Sequence, residues 1–411
     1  MIGFSCYVLA DSYFISIAKG ADGLTALNLV MPLYSIIFSI GEMIGVGSAI
    51  RYAISKIKKD ADADDYFWNA LIWCILSSML FVFAGIFFSA DIMRVLGADE
   101  HIVAVGNNYT KIFMCFAPMF MCNYVTNAFV RNDGAPGIAM SATLFSSLFN
   151  IVFDYILMFP MNLGMEGAAL ATALSPIIGM GICSIHFFSK KSSVRLVVCK
   201  PSVRKLVAGC QLGVSAFVGE MSSAVITLAF NFVILKLAGN VGVAAYGVVA
   251  NIAIVTTAVF NGVAQGSQPL ISSCFGRGDK DGCTQLKRMG YTTAFVLAAV
   301  MYSILFIFAG QFVAVFNSEG SEMLRLYATE GVKLYFIGIF FAGINIVGGG
   351  AFSATEDAFK AAVVSVARGF VLILGAVFVM SAFFGMTGVW LAYAVAEGIT
   401  TFIMLVMAMR V

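Results

Sequence analysis

The stretch FNIVFDYILMF, from Phe149 to Phe159, places an aspartate inside an otherwise apolar segment. Nine of its eleven residues are apolar or aromatic, and the two exceptions are Asn150 and Asp154. An aspartate at the centre of a membrane helix costs about 2.5–3.5 kcal/mol on insertion scales. Residues of this kind usually face the interior of a helix bundle and have a function there. The segment therefore raises two questions: whether it lies in a membrane, and what its carboxylate does.

The composition answers the first question. Of the 411 residues, 61% are hydrophobic and only 11% are charged, and the mean hydropathy is +0.95. A soluble protein carries about 25% charged residues, so this chain cannot cover a surface that faces water. Its nine cysteines contain no CxxC pair, which predicts neither a disulfide framework nor a zinc site.

Twelve apolar segments are long enough to span a bilayer, which requires about 20 residues each. The predicted fold class is therefore an all-α integral membrane protein, with twelve transmembrane helices in two pseudo-symmetric six-helix bundles. The predicted spans are 1–18, 24–52, 66–90, 106–130, 137–160, 165–188, 206–237, 242–273, 288–313, 328–353, 361–383 and 386–409.

The distribution of Lys and Arg predicts the orientation. Loops that follow even-numbered spans hold sixteen of these residues, whereas loops that follow odd-numbered spans hold four. Positive residues accumulate on the cytoplasmic side. We therefore expect a multi-pass protein of the cell (plasma or inner) membrane with both termini in the cytoplasm.

The two halves of the chain repeat each other. GMEGAALATA (164–173) matches GMTGVWLAYA (385–394) after 221 residues, and GADGLTALNLV (20–30) matches GNVGVAAYGVV (239–249) after 219. This predicts an N-terminal six-helix lobe at 1–188, a basic cytoplasmic linker at 189–205 and a C-terminal six-helix lobe at 206–411. Parallel repeats of this kind place a substrate site between the halves and favour rocking of one half against the other.

Three stretches resemble the multidrug and toxic compound extrusion (MATE) family. They are LADSYFISIAKGADGLTALNLVMPL (9–33), NIVFDYILMFPMNLGMEGAALATALS (150–175) and GVAQGSQPLISSCFGRGD (262–279). The resemblance covers nearly the whole chain and implies a two-lobed efflux transporter with twelve helices.

Two features depart from the family pattern. Only ten residues precede Asp11, so the sequence is truncated or its first helix is short. The acid that some members carry on helix ten is absent, and Ala342 or a neighbour stands in its region. These departures shift the expected ion site to the N-terminal lobe.

Polar residues of the first half converge on one depth of the membrane. At 1.5 Å per residue, Asp11, Asp154 and Thr172 lie roughly 9–12 Å below the outer surface, and Asn150 lies one turn from Asp154 on the same helix face. Asn150 and Thr172 alone would be explained as hydrogen bonds between helices. Two carboxylates without a cation at their depth favour a functional site. The resemblance implies that the same four residues form the cation site of the N-terminal lobe and adds Tyr109.

The second half offers three candidates for a substrate cavity. Glu220 is either bonded to Ser222 or Ser223 or faces water in the central cavity, or it has a function. That function would be a counter-charge for a cationic cargo or a coupling acid of the second lobe, and we favour a functional role. Gln265 and Gln268 either line the cavity or satisfy backbone groups freed by Pro269, and the sequence leaves these two open.

The two acids Asp11 and Asp154 predict an ion-coupled transport function. Two carboxylates in one poorly hydrated cavity resist being ionised together, so they can take up an ion and release it when a cationic cargo arrives. We predict a secondary active antiporter that exports organic cations in exchange for H⁺ or Na⁺, with alternating access between the lobes. H⁺ is favoured, and Na⁺ would bind at Asp11 and Asp154.

We predict no cofactor, no catalytic residue and no certain metal site. The expected partners are small organic cations and the lipid bilayer, without nucleic acid, and the protein is expected to be a monomer.

Other classes of protein fit less well. A flippase of lipids or lipid-linked precursors from the same superfamily is the alternative function, but its anionic cargo would favour cationic residues in the cavity. A membrane enzyme is disfavoured because the chain has only two histidines and no phosphate-binding loop. A channel is disfavoured by the internal repeat.

Overall fold

The computed structural model describes residues 2–316 and 321–409, which contain helices and no strand. The first half of the chain forms six spans. A break at Gly20 divides α1. Helices α3 and α4 meet at a 45° bend and together make one span, because Pro118 in the first turn of α4 cannot donate a backbone hydrogen bond. These helices are α1 (Ile2–Lys58), α2 (Asp65–Val95), α3 (Glu100–Cys115), α4 (Ala117–Asn132), α5 (Pro136–Met158) and α6 (Gly164–Phe187).

The second half is more interrupted. A break at Gly239 divides α7, and a break at Gly385 divides α13. A 3₁₀ turn (Phe336–Gly338) joins α10 to α11, and a π-helical turn (Ala367–Val371) joins α12 to α13. These helices are α7 (Val203–Gly276), α8 (Lys280–Ile307), α9 (Ala309–Phe316), α10 (Glu322–Tyr335), α11 (Ile339–Ala354), α12 (Ala358–Val366) and α13 (Leu372–Met409).

The predicted fold class is confirmed. Eight helices in the described residues are long and apolar enough to cross a bilayer, and the bent pair α3–α4 makes nine. Two of them, of 74 and 51 residues, each contain a glycine break and have the length of two spans. Each of these two helices therefore counts as two spans. Together with the segment of α1 before Gly20, the described residues hold the twelve predicted spans.

The repeat is visible in the backbone at matched glycines. Gly20 has φ 59° and ψ −144°, and its counterpart Gly239 has φ 62° and ψ −157°. Gly164 and its counterpart Gly385 also have positive φ, at 52° and 58°. Only glycine adopts such angles readily. The two sequence matches therefore place the same turn between helices at equivalent points of both halves.

The chain separates into two compact units, with the first ending at Phe217 and the second beginning at Val218. The predicted linker 189–205 lies within the first unit, and so does the start of α7. Arg51 of α1 donates from Nε to the carbonyl oxygen of Ala208 at 3.2 Å. The helices approach so closely that a β-carbon on Gly47 would fall 2.0 Å from the carbonyl oxygen of Gly209. Small residues permit such contact between membrane helices.

Asp133, in the turn after α4, binds the linker to the first unit. It accepts hydrogen bonds from His186 Nε2 at 2.8 Å, the Ser193 backbone N–H at 2.9 Å and the Tyr52 hydroxyl at 3.0 Å. Burial alone would raise the pKa of Asp133, but hydrogen bonds from Ser193, His186 and Tyr52 hold that pKa below its ordinary value. The linker thus has a fixed attachment point despite its lack of regular structure.

Candidate functional site

The buried face of α5 is polar, and its exposed face is apolar. Ser147, Asn150 and Asp154 are buried along one stripe of the helix. Leu148 and Tyr155, on other faces, are 55% and 54% exposed. This is the reverse of a soluble amphipathic helix. Asp154 therefore points away from lipid and into the first unit.

Asp11 and Asp154 form a pair of buried acids. The exposed fraction is 4% for Asp11 and 0% for Asp154. Their carboxyl groups lie close enough to interact electrostatically, although Asp11 belongs to the segment of α1 before Gly20 and Asp154 to α5. Within the described ranges, no ion pair involves either residue. The two acids thus lack the cation that normally accompanies a buried carboxylate.

Asn150 links Asp154 to α6. In the orientation of its amide that satisfies every neighbour, its oxygen accepts hydrogen bonds from the Thr172 hydroxyl at 3.1 Å and the Thr172 backbone N–H at 3.2 Å. Its nitrogen then donates to Asp154 Oδ2 at 3.2 Å. Asn150 and Thr172 are 0% and 1% exposed. These two residues therefore act as helix-to-helix hydrogen bonds and also position one of the acids.

Tyr109 of α3 contacts the other acid. Its hydroxyl lies near the Asp11 carboxyl group and hydrogen-bonds to the hydroxyl of Tyr34, in α1 beyond Gly20. A phenol has one proton to donate. In the arrangement that directs the Tyr109 proton at Asp11, Tyr109 accepts a hydrogen bond from Tyr34, since either hydroxyl of this pair can be the donor. The Tyr34 ring stacks on Phe113 with 3.6 Å between centroids, which holds this chain of hydroxyl groups in place.

Each acid keeps one oxygen without a hydrogen bond. Asp11 Oδ1 and Asp154 Oδ1 are both buried and have no donor among the described residues. Such an oxygen carries a desolvation cost of roughly 1–3 kcal/mol, more when it is charged. Buried polar groups of native proteins nearly always have partners. A proton or a small cation bound at such an oxygen would supply the missing partner.

The structure brings all five predicted residues of the first half together: Asp11, Tyr109, Asn150, Asp154 and Thr172. Sequence reasoning missed Tyr34, which stands in the apolar stretch MPLYSIIF without a polar neighbour at helical spacing. It reaches the site only because α1 turns back at Gly20, and that contact between two segments leaves no local pattern. No group of three or more His, Cys, Asp or Glu residues suited to a metal ion occurs in the part of the chain that the structure describes.

The three cavity candidates of the second half have different environments. Glu220 is partly buried on α7, and the Ser222 hydroxyl donates to the Gly219 carbonyl oxygen at 3.0 Å and so does not donate to Glu220. Gln268 is buried beside Gly350 of α11, and its Oε1 has no hydrogen-bond partner in the described residues. Gln265 is half-buried. Their assignment to a substrate cavity stays a prediction.

Comparison with known proteins links this arrangement to one family. The family model described as MatE matches residues 1–156 and 216–379. These ranges include Asp11, Tyr109, Asn150 and Asp154 in the first half. They also include most of the second half, so the match spans both copies of the repeat.

Two curated relatives match over most of their length. The multidrug export protein MepA of Staphylococcus aureus (strain MRSA252) is 27% identical over 405 residues, which cover 96% of this chain and 87% of that protein. MepA of Staphylococcus saprophyticus is 26% identical over 400 residues with the same coverage. A solved outward-facing multidrug resistance MATE family transporter of the MOP superfamily has a TM-score of 0.92 at 21% identity, covering 100% of this chain and 92% of that one.

Proposed function

The chain belongs to the MatE family, and from this premise we propose that it is a secondary active antiporter that exports organic cations in exchange for H⁺. Relatives that match 96% of the chain are named multidrug export proteins, which supports small-molecule export rather than enzymatic chemistry. The energy for transport would come from the ion gradient. The ion would bind at the paired acids of the first unit.

The observation that carries this proposal is the pair of orphaned oxygens on Asp11 and Asp154. Both acids are buried and lack a cation. An ion site that must load and unload in every cycle needs ligands that are available in one state and satisfied in another. A permanently paired carboxylate cannot do this, whereas two adjacent unpaired carboxylates can.

The composition of the site favours H⁺ over Na⁺. Two carboxylates that lie close together repel when both are charged, and one proton removes that repulsion. The neutral oxygens nearby are already engaged, since the Asn150 oxygen accepts from Thr172 and the hydroxyls of Tyr109 and Tyr34 bond each other. Na⁺ would have to displace those hydrogen bonds to complete its oxygen shell. The experiment below therefore also tests a Na⁺ gradient.

A cationic cargo fits the two acids and the reciprocity of binding. If ion and cargo prefer different states of the first unit, each weakens the binding of the other by the same factor. A cation would also be attracted to the acids once they have lost their ion. We therefore assign planar or bulky organic cations as the cargo class, with anions excluded.

The test is ethidium transport by purified protein in proteoliposomes. An imposed pH gradient should drive ethidium to the side of higher proton concentration, as antiport requires, and a protonophore should abolish the movement. A Na⁺ gradient of the same size at uniform pH should drive little. Transport under Na⁺ alone would reassign the ion, and failure to move ethidium under either gradient would refute the proposed function.

A further inference from the structure

The second unit contains a buried ion pair that sequence reasoning did not connect. Arg368 binds Glu397 through two nitrogens: Nη2 lies 2.6 Å and Nε 3.1 Å from Glu397 Oε1. The side chains are 16% and 3% exposed. Charge-assisted contacts with this geometry are among the strongest hydrogen bonds in proteins. Glu397 thus has the cation that Asp11 and Asp154 lack.

Neighbouring groups complete the shell around Glu397. Asn345 Nδ2 donates to Glu397 Oε2 at 2.7 Å and to the Glu397 carbonyl oxygen at 2.9 Å. The Thr401 hydroxyl lies 3.0 Å from Asn345 Oδ1, and Tyr393 lies close to both charged groups. Both carboxylate oxygens of Glu397 therefore have donors. The acids of the first unit, in contrast, each keep one oxygen without a donor.

The backbone builds Arg368 into this position. Arg368 lies in the π-helical turn Ala367–Val371, and such turns are rare and often occur at functional sites. The next residue, Gly369, packs so closely against α7 that a β-carbon there would fall 2.6 Å from Ser222 Cβ. The irregular turn and this contact constrain the backbone that carries Arg368, whose guanidinium group binds Glu397.

The internal repeat identifies the residues of the second unit that occupy the positions equivalent to the ion site of the first unit. The registers set by Gly20/Gly239 and Gly164/Gly385 make Phe230 the counterpart of Asp11 and Tyr393 the counterpart of Thr172. The stretch VLILGA (371–376), which corresponds to the Asn150–Asp154 region, has no polar side chain. Tyr335 packs against Phe230 and Tyr393 at centroid distances of 5.9 Å and 4.3 Å. An aromatic cluster therefore occupies the equivalent place, and Glu397 lies one helical turn from Tyr393.

We propose that Arg368 is a resident cation, that is, a permanently bound positive charge for Glu397, the only fully buried acid described in the second unit. Because Arg368 already neutralises it, Glu397 does not bind exchangeable ions, and the coupling ion binds in the first unit alone. A guanidinium group cannot lose its proton in a protein, and it cannot diffuse away. Its presence makes Glu397 a permanent, satisfied ion pair. Without Arg368, the Glu397 carboxylate would be buried among Asn345 and Tyr393 and would recruit H⁺ or Na⁺.

The experiment compares three proteins: the wild type, Arg368→Met, and Arg368→Met with Glu397→Gln. Removing one partner of a buried pair is costly, whereas replacing both is often neutral, so the double variant is the safeguard against misfolding. The melting temperature of each purified protein is measured against Na⁺ concentration and pH, without any gradient. All three proteins keep the acids of the first unit and any ion response that those acids give. Arg368→Met should show an additional rise in melting temperature with added ion, beyond that shared response.

Two results would overturn the inference. One is an ion response of the wild type that is lost in the double variant, since Glu397 would then exchange ions in the native protein. The other is a well-folded Arg368→Met variant with the ion response of the wild type. If Arg368→Met does not fold, the comparison of the wild type with the double variant decides.

This inference rests on the proposed antiport, but its failure can be distinguished from a failure of that function. The melting measurement needs no transport. In proteoliposomes, the double variant should keep ion-driven ethidium efflux with the ion dependence of the wild type. If only the double variant loses the ion dependence of efflux, the proposal that Arg368 acts as a resident cation is refuted. Absence of ion-driven efflux in the wild type would refute the antiport.

Discussion

Asp154 is buried at a cost that its neighbours only partly offset. One oxygen accepts from Asn150, and the other has no donor in the described part of the chain. An acid whose role was only to join helices would have both oxygens bonded, as Glu397 does. The incomplete shell of Asp154 therefore distinguishes an ion-binding acid from a structural one.

The Asp154→Asn variant should lose ethidium efflux down to background while it keeps its fold. Its amide has nearly the same shape, and it removes a buried unpaired charge, so the melting temperature should not fall. Efflux from proteoliposomes and thermal unfolding in detergent are the two measurements. Glu166→Gln is the matched control, because Glu166 is exposed at the start of neighbouring α6 and bonds Asn108 at 2.7 Å. Efflux at wild-type rate by Asp154→Asn would make this acid structural.

The sequence predicted Asn150 and Asp154 from their local spacing, Asp11 and Thr172 from their depth in the membrane, and Tyr109 only through the family resemblance. The four-residue spacing of Asn150 and Asp154 places both on one face of α5, and a charge in an apolar span is conspicuous. Tyr34, Arg368 and Glu397 could not be connected in this way. Their contacts join segments far apart in the chain, and the direction of a side chain around a membrane helix is not encoded when all faces are apolar.

Among the helices, the glycine breaks determine which residues meet at the ion site of the first unit. Gly20 ends the segment that carries Asp11 and starts the one that carries Tyr34, so its turn determines whether both meet Tyr109. The sequence predicted the spans on either side of each break from apolar length alone. It could not predict that some breaks leave the helix nearly continuous, or that a π-helical turn precedes α13, because both depend on packing.

Gly239→Ala should destabilise the protein by about 1–3 kcal/mol because alanine resists this backbone conformation. Gly247→Ala is the control, since both glycines lie in α7 with open space around them and only Gly239 has positive φ. The control should be neutral or slightly stabilising, because alanine favours a helix over glycine by up to about 1 kcal/mol. Thermal unfolding in detergent compares them. Equal effects of the two substitutions would show that the turn is not strained.

Asp133 should make attachment of the linker dependent on pH. Its pKa is held below the ordinary value by the groups that donate to it. Its stabilising contribution is therefore complete above the unfolded value of about 3.9 and is lost as the pH falls through the lower folded value. The protection of the Ser193 amide against hydrogen exchange, relative to its intrinsic rate at each pH, should fall at low pH and be low at every pH in Asp133→Asn.

Asp60→Asn is the control for that measurement, because Asp60 is exposed in a neighbouring turn. It should leave the exchange of Ser193 unchanged. If Asp133→Asn exchanges at the wild-type rate across the pH range, the linker is held by other contacts. Those would be the bonds from Ser202 N–H to Asn69 Oδ1 and from Lys205 to Asp65.

At the scale of the whole molecule, the charge asymmetry of the loops predicts the orientation. In a background without the nine native cysteines, a cysteine at Lys200 should be protected from a membrane-impermeant maleimide in intact cells. A cysteine at Glu166 should be labelled. The opposite pattern would invert the topology and place the acids of the first unit nearer the cytoplasm.

On this account, one exchangeable ion at Asp11 and Asp154 controls the binding of a cationic cargo. The affinity of purified protein for ethidium should therefore be measured from pH 5 to 9, in Na⁺-free buffer and then with added Na⁺. The affinity should weaken as the pH falls, because the proton and the cation favour different states. This dependence should vanish in Asp11→Asn and Asp154→Asn and persist in Glu166→Gln. A wild-type affinity that changes with neither pH nor Na⁺ would contradict the claim.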